Sequence, residues 1–572
     1  MAQRQENLVR ETTKSYRLYK EALENQAMTG LREKIPECVD FYEGRQWPKP
    51  TESTKNLPRP VVNIVKMICR AKKGAILSTP VRIQYKSYSP LVNVDRFNSF
   101  ASSIFREIGQ DDLDRRAIDD GIKKGSYFYH YYWDSEEISN ESGETGALLC
   151  ELIDPLNIFF SNPSELDEQK QDWIIIKSFP TVKNVIKEIT DKKLLNSILL
   201  EACEEKGEIS PEKDTIALFT RYFKRDGEVY CTKQTKYTTV TEEFKIIPGK
   251  LELSEIFDAL YCKNDEKGEG VCENRATGAR RSLANKSKFK QLYPIVCGYY
   301  ERKEGSIYGM GEVEGLIPNQ KAINFNIAMN LLNAQQCAWG KYIALPNALG
   351  NQKISNVPGQ VLIDFSGTGE GIKRMPEGEI SSSPMNITLS LEELTRNVSG
   401  ASSVLTGDAY GSNLSGAAIA YLQSQAQVPI DELRNNFWHA KRKQGRVVAQ
   451  FLRHFYFKRS YISRQSTDID KKIAQYDEFS SSDYDGACFE VYVEAVGGTK
   501  SSLASDISLL DTCLKNGNIS LETYIRAYPE SAITNKEEIL KQIRIEKESE
   551  IEALKREIQA LKSGARENNE NK

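Results

Sequence analysis

The residues of this 572-residue chain that could do chemistry are few, and their spacing does not suit it. Gly497-Gly498-Thr499-Lys500-Ser501-Ser502 follows a strand-like run and leads into a helical one. That is the setting of a phosphate-binding loop, in which glycine amides and a lysine cradle a nucleotide. Lys500, however, follows a threonine rather than a glycine, and no glycine stands five positions before Gly498, so the motif fails. GMGEVEG at 309–315 is a loose dinucleotide fingerprint whose third glycine comes one place late, outside a βαβ unit. His130, His439 and His454, the three histidines, are far apart and offer no Ser/His/Asp arrangement. Eleven cysteines stand singly without CxxC or Cys/His ligand spacing and read as reduced thiols, not zinc ligands. Asp111-Asp112 and Asp119-Asp120 lie on a charged helical tract and read as solvated rather than metal-binding. The expectation is a chain that is not an enzyme and carries no cofactor and no metal.

Hydrophobic residues at 40% and charged residues at 27% describe a globular protein of two to four domains. The net charge of −3 hides no large basic segment, so a tight, salt-dependent grip on a nucleic-acid backbone is not expected. A protein that merely lets nucleic acid pass would have this balance too. The N-terminal MAQRQENLVRETTKSYR is too polar for a signal peptide, and no run of 18 apolar residues suggests a membrane span.

The organising element is the stretch 309–340. Leu316, Ile323, Ile327, Leu331, Ala334 and Ala338 recur at the spacing of an amphipathic helix. Opposite them Lys321 is the one charge, among the neutral amides of Gln320, Asn324, Asn326, Asn330, Asn333, Gln335 and Gln336. Such a face suits packing on copies of itself or bordering a narrow polar space. Upstream, helical patterns fill 2–47, 60–77, 93–124 and 181–206. Strand patterns fill 81–89 and 126–134, and Asp226-Gly227 marks a hairpin. A charged, Gly-rich stretch at 262–288 reads as an exposed loop. Downstream, 341–380 reads as short strands and turns. Ser383-Pro384 then opens a helix whose face is Ile387, Leu391, Leu394 and Val398. After a flexible loop at 402–415 comes a helical tract of about 43 residues, which Pro429 is expected to kink. On it Lys441, Arg442, Lys443 and Arg446 form a basic cluster that reads as an intersubunit or solvated face. A strand at 489–496 and a helical C-terminus follow.

This order resembles the portal proteins of tailed bacteriophages. The likeness is carried by FYEGRQW and RPVVNIVKMICRAKKGAILSTP, by IDPLNIFFSNP with DWIIIKSFPT, by YGMGEVEGLIPNQKAINFNIAMN, by SGASSVLTGDAYGSNLSGAAIAYLQSQAQ, and by FEVYVEAVGG with the helices after it. The resemblance implies an α+β, mainly α, portal fold with wing, stem, clip and crown regions, assembled as a ring. By it, 1–310 is wing, 311–340 the first stem helix, 341–383 the clip and 384–401 the second stem helix. The tunnel loop is 402–415, the long kinked helix and a wing strand are 416–499, and the crown and C-terminal tail are 500–572. It implies a homo-oligomer of 12 subunits at one capsid vertex of the virion, assembled in the host cytoplasm. Double-stranded DNA would pass through without sequence specificity, during packaging and ejection. The partners implied are the terminase large subunit, a head-closure adaptor, and the major capsid and scaffold proteins, with no membrane. The alternative is a nucleic-acid-processing enzyme of the packaging machinery, which would need the phosphate loop or carboxylate cluster that is missing.

The residues fit that likeness. A DNA channel must be polar without holding phosphates. The loop has one acid, Asp408, and no base, while Gly407 and Gly411 free its backbone. Tyr410 is its one large side chain, and Thr406 and Asn413 complete the expected tunnel-loop set. On the stem helix, Asn324, Asn330 and Asn333 are the expected channel face.

Overall fold

A computed structural model describes residues 12–55, 57–88, 92–138, 145–187, 189, 191–206, 211–247, 291–338, 342–345, 348–353, 363–365, 367, 371–374, 383–401, 416–465, 474–484, 487–495, 500–528, 539–543, 545 and 555. They mix helices and strands. The chain divides into two compact units. One comprises Met1–Ile76, Ile83–Tyr410 and Ala426–Val493; the other comprises Leu77–Arg82, Gly411–Gln425 and Glu494–Lys572.

In the larger unit, helices α1 (Lys14–Met28), α2 (Leu31–Glu43), α3 (Ile64–Leu77), α4 (Val94–Glu107) and α5 (Gln110–Lys124) come first. The patterns at 2–47 and 93–124 are thus each broken, at Gly30 and Gly109, where the backbone turns left-handed. Strand β1 (Val81–Ser87) lies between α3 and α4 and pairs with β14 (Phe489–Ala495).

Two antiparallel sheets follow. The first, in order β3-β2-β9, joins β2 (Ser126–Ile138), β3 (Thr145–Ile153) and β9 (Ile295–Tyr299). The second, β4-β5-β6-β7-β8, runs through Ile158–Phe160, Trp173–Ser178, Leu218–Arg225, Glu228–Gln234 and Thr239–Lys245. Its β6–β7 hairpin turns at Asp226-Gly227, both with positive φ (55° and 84°), the mirror-image turn whose twist matches a hairpin. Between the sheets lies one aromatic-rich core in which Phe128, Phe160, Ile174, Tyr293 and Ile295 are almost wholly buried. Each such side chain contributes roughly 1.5–3 kcal/mol by leaving water. Helices α6 (Val182–Lys187) and α7 (Lys192–Lys206), which divide the single pattern at 181–206, close a smaller core of Val182, Val185, Ile198 and Ile216.

Three helices then carry the features of interest: α8 (Glu312–Ala338), α9 (Ser383–Ser399) and α10 (Gly416–Phe455). Helix α10 is one continuous α-helix of 40 residues with Pro429 inside it. A two-stranded sheet of β10 (Tyr342–Ala344) and β11 (Ile372–Arg374) lies in sequence between α8 and α9. Strands β12 (Arg459–Gln465) and β13 (Ala474–Phe479) pair after α10. The smaller unit contains α11 (Lys500–Lys515) and α12 (Leu521–Ala527), the latter capped by the Ser520 hydroxyl on the Thr523 amide.

Candidate channel and docking elements

The run 309–315 that looked like a nucleotide fingerprint has a different reason for its glycines. A Cβ on Gly309 would stand 2.6 Å from the carbonyl oxygens of both Glu301 and Gly125, and one on Gly311 2.7 Å from that of Ile122. The Gly309 amide donates to the Ser126 hydroxyl at 2.7 Å. Backbone here lies directly on backbone, fixing the start of α8 to the junction of α5 and β2. The helix begins at Glu312, six residues before Pro318, which lies inside it.

From there the first four turns of α8 are anchored side chain by side chain. Glu312 accepts from Lys72 Nζ at 2.7 Å and from the Tyr300 hydroxyl at 2.9 Å, and both charges of the ion pair are nearly buried. Burial, reinforced by the Glu312 carboxylate, pushes the Tyr300 hydroxyl far above its ordinary range, so it stays a donor. Glu314 pairs with Lys34, and Lys321 with Glu37. Gln320 Oε1 accepts from the Ile64 and Val65 amides (3.1 and 3.3 Å), capping α3 from another helix, while its Nε2 donates to the Val62 carbonyl and to Asn324 Oδ1. Asn324 Nδ2 donates in turn to Gln46 Oε1 at 2.7 Å.

Asn324 is therefore 2% exposed, its amide used within the chain, and the expectation that it faces a channel is corrected. Buried polar side chains are normally hydrogen-bonded within the fold, as this one is to Gln320 and Gln46. Asn330 and Asn333 lie farther along, half-buried, and Asn330 Nδ2 has no partner among the described residues. The apolar stripe divides at the same place. Leu316 and Ile323 are buried, whereas Leu331 is exposed, as are Phe325 and Met329 on neighbouring faces.

Helix α9 packs against α8. Its threonines Thr388 and Thr395 are buried, Thr395 donating to the Leu391 carbonyl at 2.6 Å. Three of the four residues that mark its apolar face are exposed: Ile387 (50%), Leu394 (57%) and Val398 (79%). The small module between the helices is similar. Leu345 N donates to Gly371 O and Gly371 N to Asp364 Oδ2, while Ile343, Leu345, Ile363 and Phe365 are exposed.

The basic cluster of α10 splits as well. Arg442 and Arg446 are exposed, but Lys441 and Lys443 are withdrawn into ion pairs with Asp114 and Glu168, which corrects their reading as solvated or intersubunit. Of the acidic pairs, Asp111 and Asp112 are exposed, whereas Asp119 pairs with Lys73 and Lys123, and Asp120 with Lys124. Lysine hydrogen bonds hold the Asp119 carboxyl below its ordinary value although burial raises it. No cluster of metal-ligating side chains occurs among the described residues. Among them, too, no helix is long and apolar enough to cross a membrane. Thr406, Gly407, Asp408, Tyr410, Gly411 and Asn413 lie outside the described residues, as does the stretch 262–288.

Residues 277–475, which include α8, the strand module, α9 and α10, match the family described as Phage P22-like portal protein. No curated protein matches the chain.

Proposed function

Taking the chain as a phage portal protein, we propose that twelve copies form a ring at one capsid vertex and that its bore is the path of genome DNA in packaging and ejection. The observation that carries this reading is the outward apolar face of α8 and α9. Leu331 is exposed on α8, and Ile387, Leu394 and Val398 are exposed on α9, whose threonines Thr388 and Thr395 are buried, the reverse of a helix finished within one chain. Neighbouring copies would cover that face. Asn330 and Asn333 would border the bore, and Thr406, Gly407, Asp408, Tyr410, Gly411 and Asn413 would form its narrowest loop. The exposed Ile343, Leu345, Ile363 and Phe365 would offer the terminase large subunit, and later the head-closure adaptor, an apolar docking patch. Capsid and scaffold proteins would surround the ring during assembly in the host cytoplasm. The ring acts as a conduit and has no reaction of its own.

Electron microscopy with a solution mass tests the proposal. Twelve 64.8 kDa chains give a ring of about 780 kDa; a stable monomer would overturn it, and ATPase or nuclease activity would favour a packaging enzyme instead. Asp408→Lys should impair packaging while rings still assemble. If assembly fails instead, the loop does not line the bore.

A further inference from the structure

Helix α10 is seated in the larger unit by charge as well as by packing. Lys441 reaches the Asp114 carboxylate on α5, with both side chains under 10% exposed. The other oxygen of Asp114 accepts from the Tyr129 hydroxyl (2.8 Å) and from Gln110 Nε2 (2.9 Å). Two residues along, Lys443 Nζ donates to Glu168 Oε2 at 2.7 Å, on the 3-10 turn Glu168–Lys170, and the Glu168 side chain is 2% exposed. Burial pushes the Glu168 carboxyl above its ordinary value, although Lys443 pulls it down. At either end, Arg434 donates to the Ala75 carbonyl and Gln450 brackets Leu292, accepting from its amide and donating to its carbonyl.

Buried ion pairs are poor sources of net stability. Desolvating both charges offsets most of their attraction, and well-packed apolar pairs of similar volume are often as stable or more so. They are effective at excluding alternatives. Sliding α10 by one turn, about 5.4 Å, would take Lys441 from Asp114 and Lys443 from Glu168, and each carboxylate left buried and unpaired would disfavour that seating by on the order of a hundredfold or more.

We propose that Lys441–Asp114 and Lys443–Glu168 form a register lock, which selects one seating of the long helix rather than stabilising the fold. The lock is a property of the single chain and does not depend on the ring.

The test removes the charges while keeping the volumes. In the full chain, Glu168→Met with Lys443→Met replaces one pair. Asp114→Asn with Lys441→Met replaces the other and keeps an acceptor for Tyr129 and Gln110. Spin labels are introduced as non-natural amino acids at the exposed Arg442 and Arg115, and labelled chain is diluted into unlabelled chain so that distances are read within one copy. Wild type should give one narrow distance. The four-residue variant should unfold at an unchanged or higher denaturant concentration, yet give a broadened or second distance displaced by about one helical turn. A single narrow distance in that variant would overturn the proposal, since packing alone would then set the register. A large fall in its unfolding midpoint would also overturn it, since the pairs would then be stabilisers. If the four-residue variant does not fold, Glu168→Met with Lys443→Met alone must keep the wild-type unfolding midpoint and show the same broadening, and a lowered midpoint or a narrow distance there is equally fatal.

Discussion

The two halves of α8 are built from the same materials and put them to opposite uses. Before about residue 325, leucine and isoleucine are buried and the amides of Gln320 and Asn324 bond α3 and the segment before it. Beyond it, Phe325, Met329 and Leu331 are exposed, and the buried amide nitrogen of Asn330 has no partner among the described residues. The first half is completed by its own chain; the second leaves apolar side chains exposed, and the proposed ring would cover them. Residue type does not distinguish the bonded amides of Gln320 and Asn324 from that of Asn330, or a buried leucine from an exposed one. The neighbouring element does.

Removing the strongest anchor of the first half should have the largest effect. Glu312→Leu leaves Lys72 buried and uncompensated, which should cost about 3–5 kcal/mol of chain stability. Adding Lys72→Met should restore much of the loss, because the unpaired charge dominates the damage. Urea unfolding of the two single variants and the double variant measures the coupling. No recovery in the double variant would mean that the pair itself holds the helix.

Gln320→Ala comes next. It strips the acceptor from the buried Ile64 and Val65 amides and the donor from the part-buried Val62 carbonyl, for about 1–3 kcal/mol. A change near zero, read from the same unfolding curves, would make the amide a bystander.

These two anchors also show what could be read in the sequence. Local patterns were legible: the Asp226-Gly227 hairpin, the aromatic strand β2, the extent of α8, and the helix beginning at Ser383. All depend on neighbours within a few residues. What misled were side chains whose partners are far away in sequence. The Gln320 cap joins residues 255 and 256 positions apart, and Lys443 meets Glu168 across 275. A lysine on the polar side of a helix reads as solvated until a distant carboxylate is brought against it. Gly309 and Gly311, rejected as a nucleotide fingerprint, likewise owe their type to distant chain, since Gly309 lies against the Gly125 and Glu301 carbonyls and Gly311 against that of Ile122. The apolar stripe of α9 was recognised, but its periodicity carries no information on whether its cover lies in the same chain.

A smaller effect is expected where the two sheets meet. His130 on β2 bonds Glu151 on β3 at 2.9 Å and Tyr222 on β6 at 2.7 Å. The bond to His130 lowers the Glu151 carboxyl below 4.5, although burial opposes it. A carboxylate held lower in the folded state contributes stability that is present above its unfolded value of 4.5 and lost as pH falls through the folded one. Wild type should therefore exceed Glu151→Gln in stability at neutral pH, and the gap should close below pH 4.5. Parallel curves for the two proteins across that window would show that the pair contributes nothing.

The smallest change in chain stability is expected from the outward face, and this contrast tests the two-halves comparison most sharply. Leu394 and Val398 are 57% and 79% exposed in the single chain, so replacing both with asparagine removes little buried apolar surface. Surface changes of this kind usually stay within about 0.5 kcal/mol. If neighbouring copies cover the face, however, each asparagine buries a polar group where an apolar one packed, and the penalty of about 1–3 kcal/mol is repeated at every contact around the ring. The variant should unfold like wild type under conditions that keep it monomeric, yet fail to give rings by electron microscopy. Loss of monomer stability would mean that the face is finished within the chain after all. Normal rings would mean that some other surface joins the copies.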